Sequence, residues 1–88
     1  MKPIPEETLD PQDWDEFRRL AHQVLDDALD YQTQVRERPV WQPVPEMVRA
    51  RFAEALPRHG KGEAAAYRDY QELLAPDALG NTHPRFWG

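Results

Sequence analysis

Between Pro11 and Pro39 the chain carries no proline and no glycine, and its apolar residues recur with helical spacing. Trp14, Phe17, Ala21, Val24, Ala28, Tyr31 and Val35 follow one another at intervals of three and four, a narrow heptad seam along a single helix face. Leu20, Leu25 and Leu29 broaden that face. Asp10-Pro11 offers a helix start, with Asp able to cap and Pro suited to the first helical position. Asp13, Asp15 and Glu16 then suit the positive pole of the helix dipole. The pattern predicts a helix over about 11–36, which would be about 38 Å long.

Nothing else in the 88 residues predicts a second helix of that length. Arg38-Pro39-Val40-Trp41-Gln42-Pro43-Val44-Pro45 holds three prolines, so residues 37–45 should form a polyproline-like connector. A short helix is expected over about 45–56, with Val48, Phe52, Ala55 and Leu56 at apolar spacing before Pro57. His59-Gly60-Lys61-Gly62 reads as a loop, and another short helix should run over about 63–75, ended by Pro76. It presents Ala66, Tyr67, Tyr70, Leu73 and Leu74 on one side. An extended lead-in over 1–10 and a tail over 76–88 complete one helical segment. No alternating pattern suggests a sheet. The expected fold is all-α: one long helix and two short ones joined by a Pro-rich connector.

The core such a chain can build is small. Leu, Ile, Val and Phe together number 17, close to the level where globular character fails, while Ala contributes 10 of the remaining apolar residues. The seam on the long helix therefore outruns the cover that two short helices can give it. A second polypeptide should lie against Trp14, Phe17, Ala21, Val24, Ala28, Tyr31 and Val35, in an intertwined homodimer or against further parts of a parent protein.

Charge and side-chain chemistry exclude several functions. The net charge is −5, and basic residues are interspersed with acidic ones, so no row of phosphates would be neutralised and nucleic-acid binding is not expected. No run approaches the roughly 20 apolar residues of a membrane span. With no signal-peptide core behind Met1-Lys2-Pro3, a cytoplasmic location is the default. Cys and Ser are both absent, which removes disulfides, thiolate metal sites and the usual acyl-transfer nucleophiles. His22 and Asp26 are one helical turn apart, a spacing that can seat a metal, but His22 falls off the seam and a solvated pair is the better reading. Asp26, Asp27 and Asp30 lack the glycine and terminal Glu of a calcium loop and read as a wet helix face. Gly60-Lys61-Gly62 lacks the full pattern of a phosphate loop. Neither Lys2 nor Lys61 sits where a desolvated pocket would activate an amine. No catalytic, cofactor-binding or metal-binding residues are assigned.

The order of several short blocks adds a further expectation. Glu16-Phe17-Arg18-Arg19 opens a long helix reaching Asp30-Tyr31; Arg38-Pro39-Val40 leads a Pro-rich stretch ending in Val44-Pro45; a short helix stops at Pro57; and Leu73-Leu74 with Pro76 precedes His83-Pro84-Arg85-Phe86-Trp87-Gly88. This series resembles the N-terminal segment of pyridoxal-phosphate-dependent group II decarboxylases, the aromatic-L-amino-acid decarboxylase family. The resemblance spans nearly the whole chain, and the His-Pro-x-Phe block is its most specific part. It implies a parent carboxy-lyase acting on amino acids, in which this segment wraps over the neighbouring subunit of an obligate dimer. The pyridoxal phosphate and its lysine, in an Asn-x-His-Lys-type motif, would belong to a large domain downstream; this chain has no such motif. By the same resemblance Asn81, His83, Pro84, Phe86 and Trp87 would lie near the substrate pocket of the parent. Independently of the resemblance, a chain that stops on Phe86-Trp87-Gly88 either tucks its tail back into the protein or is cut within a longer sequence, and the second is expected. The rival reading is a stand-alone helical interaction module, and a third is a small helical metalloenzyme.

Overall fold

A computed structural model describes residues 8–78 and 80–87. Most of the lead-in expected over 1–10 lies outside the described residues, as does Gly88. Among the described residues the fold is helical, with no strand. Helix α1 spans Trp14–Gln34 and continues into a 3-10 turn over Val35–Glu37. Helix α2 spans Glu46–Arg51. Helix α3 spans Glu63–Asp69, widens into a π-helical turn over Tyr70–Leu74 and tightens into a 3-10 turn over Ala75–Asp77. The all-α expectation with one long and two short helices holds.

The boundaries differ from the sequence expectation for identifiable reasons. Asp13, not Asp10, caps α1: its backbone is extended (φ −132°, ψ 106°), and one carboxylate oxygen accepts from the N–H groups of Asp15 and Glu16 at 2.9 and 3.2 Å. Two of the four orphan donors at the helix start are thereby satisfied. The Asp10 N–H is engaged upstream, donating to the Thr8 hydroxyl at 3.1 Å. At the other end Arg38 is extended (φ −95°, ψ 151°), because Pro39 disfavours the α region for the residue before it.

Helix α2 is half its expected length. Pro57 has no N–H to donate to Ala53, and Phe52 and Ala53 donate instead to Arg49 and Ala50 at 3.1 Å, closing tighter turns. Without tertiary cover so short a helix does not propagate. Helix α3 leaves Gly62 at φ +88°, a conformation suited to glycine, whose carbonyl accepts from Ala66 N at 3.1 Å. The expected stop at Pro76 is instead a change of helical pitch. A regular α-helix would drive the proline ring against the preceding turn, and the π and 3-10 turns re-space the backbone around it.

The assembled chain is open. Its Cα radius of gyration is 17.4 Å, against about 12 Å for a compact domain of this length. Its accessible surface is 8421 Å², against about 5,400 Å² for a compact protein of 10.3 kDa. Val35 is the buried apolar side chain among the described residues, with His83 and Gly80 buried beside the same junction. No helix of the described residues is long and apolar enough to cross a membrane.

Candidate functional site

Two features stand out: a groove between α1 and α3, and a strap formed by the tail. Val24, Asp27, Ala28 and Tyr31 of α1 face Tyr67, Tyr70 and Gln71 of α3 across a groove of about 730 Å³. The tie across it is polar. Tyr67 donates its hydroxyl to the Asp27 carboxylate at 2.5 Å, and Gln71 donates to the same oxygen at 3.2 Å. That bond, reinforced by partial burial and the carboxylate charge, pushes the Tyr67 phenol up to about 12. Tyr67 and Tyr70 stack with ring centroids 6.0 Å apart.

Arg38 closes the groove at its lower end. Its guanidinium donates to the carbonyls of Ala75 and Pro76 at 2.8 and 3.0 Å and lies 4.7 Å above the Tyr31 ring. Gln42 adds bonds to the Pro76 carbonyl at 2.9 Å and to Asp77 at 2.8 Å. The connector and the end of α3 are thus stapled together by side chains acting largely on backbone carbonyls.

The strap follows. Gly80 donates its N–H to Val40 O at 2.9 Å, and Thr82 donates its hydroxyl to Gln32 at 3.0 Å. His83 is 8% exposed, with Nε2 3.3 Å from Arg36 O and Nδ1 accepting from Arg85 N at 3.0 Å. Asn81 and Pro84 are exposed, Phe86 is half-buried and Trp87 projects into solvent. Two successive turns, closed by His83 N to Gly80 O at 2.9 Å and Phe86 N to His83 O at 3.0 Å, thus hold Asn81, His83, Pro84 and Phe86, with the histidine enclosed and Trp87 beyond them.

The seam residues divide into three groups. Val35 is 5% exposed and already covered within its own chain. Val24, Ala28 and Tyr31 border the groove, and Val24 remains 37% exposed. Trp14, Phe17 and Ala21 form the third group: Phe17 borders a hollow shared with Gly62, Glu63 and Ala64 at the start of α3, Trp14 and Phe17 meet edge to face at 5.9 Å, and Trp14 is 61% exposed. Leu25 and Leu29, read from the sequence as flanks, are more open than Val24, with Leu25 at 57%. Helix α3 partly shields one edge of the apolar face, so the open stripe is centred nearer Trp14, Ala21, Leu25 and Leu29.

Some of these roles lay outside the sequence reading. Asp27 belonged to an apparently wet face, yet it accepts both bonds from α3. Arg38 was noted only as part of the connector; its partners are 37 and 38 residues away, a separation that no local spacing encodes. His22 and His59 are exposed, and no group of three or more candidate metal ligands comes together among the described residues.

Fold and groove define the class first: an open, all-α segment whose long helix keeps much of its apolar face in solvent. Its sequence is similar to a tyrosine decarboxylase from Oryza sativa subsp. japonica, with 38% identity over 76 residues, covering 83% of this chain and 14% of that protein. The chain is thus homologous to a decarboxylase over most of its own length, while spanning about a seventh of the relative. No family model matches the chain, and no solved structure matches it. The residues described do not suit pyridoxal phosphate: Lys61 is exposed and paired with Asp69, which is the reverse of the desolvated amine that a Schiff base requires. These residues therefore supply no catalytic step through that group.

Proposed function

We propose that this chain is the N-terminal helical dimerisation segment of a pyridoxal-phosphate-dependent amino-acid decarboxylase, a carboxy-lyase. The observation that carries the reading is the open stripe on α1, where Trp14, Leu25 and Leu29 are each more than half exposed. Contiguous exposed apolar surface is where soluble chains commonly dock a partner, which supports this reading. The homology to a tyrosine decarboxylase supports the parent's class, and an aromatic L-amino acid is the first substrate to test. In the parent, the cofactor lysine and the large domain would come from other parts of the polypeptide. The strap with Asn81, His83, Pro84, Phe86 and Trp87 would lie near the substrate pocket.

Association is the direct test. Light scattering on the 88-residue chain at micromolar concentration should report a dimer. Val24→Asp and Leu25→Asp should each reduce it to monomer, since each buried seam side chain contributes roughly 1.5–3 kcal/mol. A stable, folded monomer in the unmodified chain would sink the assignment. The decarboxylase half of the reading is tested separately by assaying the parent polypeptide, supplied with pyridoxal phosphate, for carbon dioxide release from tyrosine.

A further inference from the structure

We infer that residues 46–62, helix α2 and the loop behind it, form an arm that docks on the α1 stripe of a second copy of this chain, whose own arm docks on the first in return. The inference rests on the dimerisation reading above and names the contact that makes the dimer. Among the described residues, the hydrogen bonds that fold the chain back on itself run between α1 or the connector and α3 or the strap. Tyr67 and Gln71 reach Asp27, Arg38 and Gln42 hold the end of α3, and Gly80, Thr82 and His83 reach Val40, Gln32 and Arg36. None of them comes from 46–62, which is tied to α3 by Lys61 and Asp69. Every residue from Arg49 to Gly62 is exposed. Met47, Phe52 and Leu56 are 84, 60 and 89% exposed, so a helix of six residues holds its large apolar side chains in water. The arm is left uncovered by its own chain.

Charge complementarity names the occupant. Arg49, Arg51, Arg58 and Lys61 outnumber Glu46 and Glu54, so the arm carries +2 and leaves −7 on the rest of a chain whose total is −5. A basic arm with apolar side chains fits an acidic apolar surface. Helix α1 offers one in its C-terminal half. Leu25 and Leu29 lie one turn apart and are 57 and 55% exposed. Asp26 and Asp30 follow them as a second row, both exposed and neither in an ion pair among the described residues. Arg18 and Arg19 stand nearer the start of α1, so the half that bears the two leucines is purely acidic. Pairing α1 against α1 would cover the stripe but leave Met47, Phe52 and Leu56 in water; an exchange of arms covers both. Apolar contact supplies the affinity, while the charges select the partner, because exposed ion pairs add little by themselves. An exchange in which each copy gives and receives one arm closes at two.

The test is a charge exchange in the 88-residue chain, read by sedimentation, with circular dichroism to check that each variant keeps its helix. One variant combines Arg49→Glu and Arg58→Glu; the other combines Asp26→Arg and Asp30→Arg. Each alone sets like charges against each other at both contacts and should weaken the dimer roughly tenfold or more. Mixed in equal amounts, the two variants present opposite charges at both contacts, and the dimer should return as a heterodimer. Leu56→Asp should weaken the unmodified dimer by roughly tenfold or more as well. If the arm variants stay dimeric while Leu25→Asp does not, the inference is overturned and the dimerisation reading stands. Failure of the mixture to recover, or assembly beyond two copies, also overturns it. An unmodified chain that stays monomeric sinks the dimerisation reading and this inference together.

Discussion

Tyr67 sets its hydroxyl 2.5 Å from the Asp27 carboxylate, joining the middle of the long helix to α3 across 40 residues of sequence. The bond needs a phenol proton to donate, so its fate at high pH follows directly. A hydroxyl whose ionisation is raised in the folded chain stabilises the fold below the ordinary tyrosine range, and that contribution is lost as pH rises through the shifted value. Tyr67 should ionise at about 12. Following tyrosinate absorbance, Tyr67→Phe should remove that step. An unchanged profile in the variant would assign the step elsewhere.

The start of α1 depends on one carboxylate. Asp13→Ala removes the acceptor for the N–H groups of Asp15 and Glu16 and should cost about 1 kcal/mol of helix stability. Circular dichroism should register a loss of helix, while Asp10→Ala leaves the signal unchanged. The reverse result would restore Asp10 as the cap.

Arg38→Lys keeps the charge but loses the planar group that reaches two carbonyls and stacks on Tyr31. It should weaken the attachment of α3 to the connector by about 1–2 kcal/mol. Limited proteolysis between Leu74 and Ala78 should accelerate, with α1 itself unaffected. Equal cleavage rates for the unmodified chain and the Arg38→Lys variant would show that a point charge suffices.

Gly80 is needed for space. A Cβ there would come 3.3 Å from Val40 O and 3.5 Å from His83 Cβ, and the first of these is backbone that cannot easily yield. Gly80→Ala should therefore strain the base of the strap by about 1–3 kcal/mol. Hydrogen exchange should show the downstream amides of His83 and Arg85 losing protection at neutral pH.

Much of this architecture was legible in the sequence because it is local. The apolar period from Trp14 to Val35, the proline clusters and Gly62 act over a few residues, and they led to the long helix, the connector and the two short helices in the right order. Boundaries were less legible where competing local signals met. Asp10 read as the cap and Asp13 as a first-turn charge, yet it is Asp13 whose carboxylate accepts from the free N–H groups. Pro76 looked like a stop until the π turn showed how the backbone passes it.

The sequence by itself determined that a long amphipathic helix would be made with too little apolar material to hide it, since helical period and composition follow from residue order alone. Only the tertiary structure decided which edge of that helix is left bare, that Asp27 and Arg38 hold α3, and that His83 closes the tail. Those outcomes depend on groups 37 to 47 residues apart meeting with donor opposite acceptor, a geometric condition that exists only after the chain has folded back on itself.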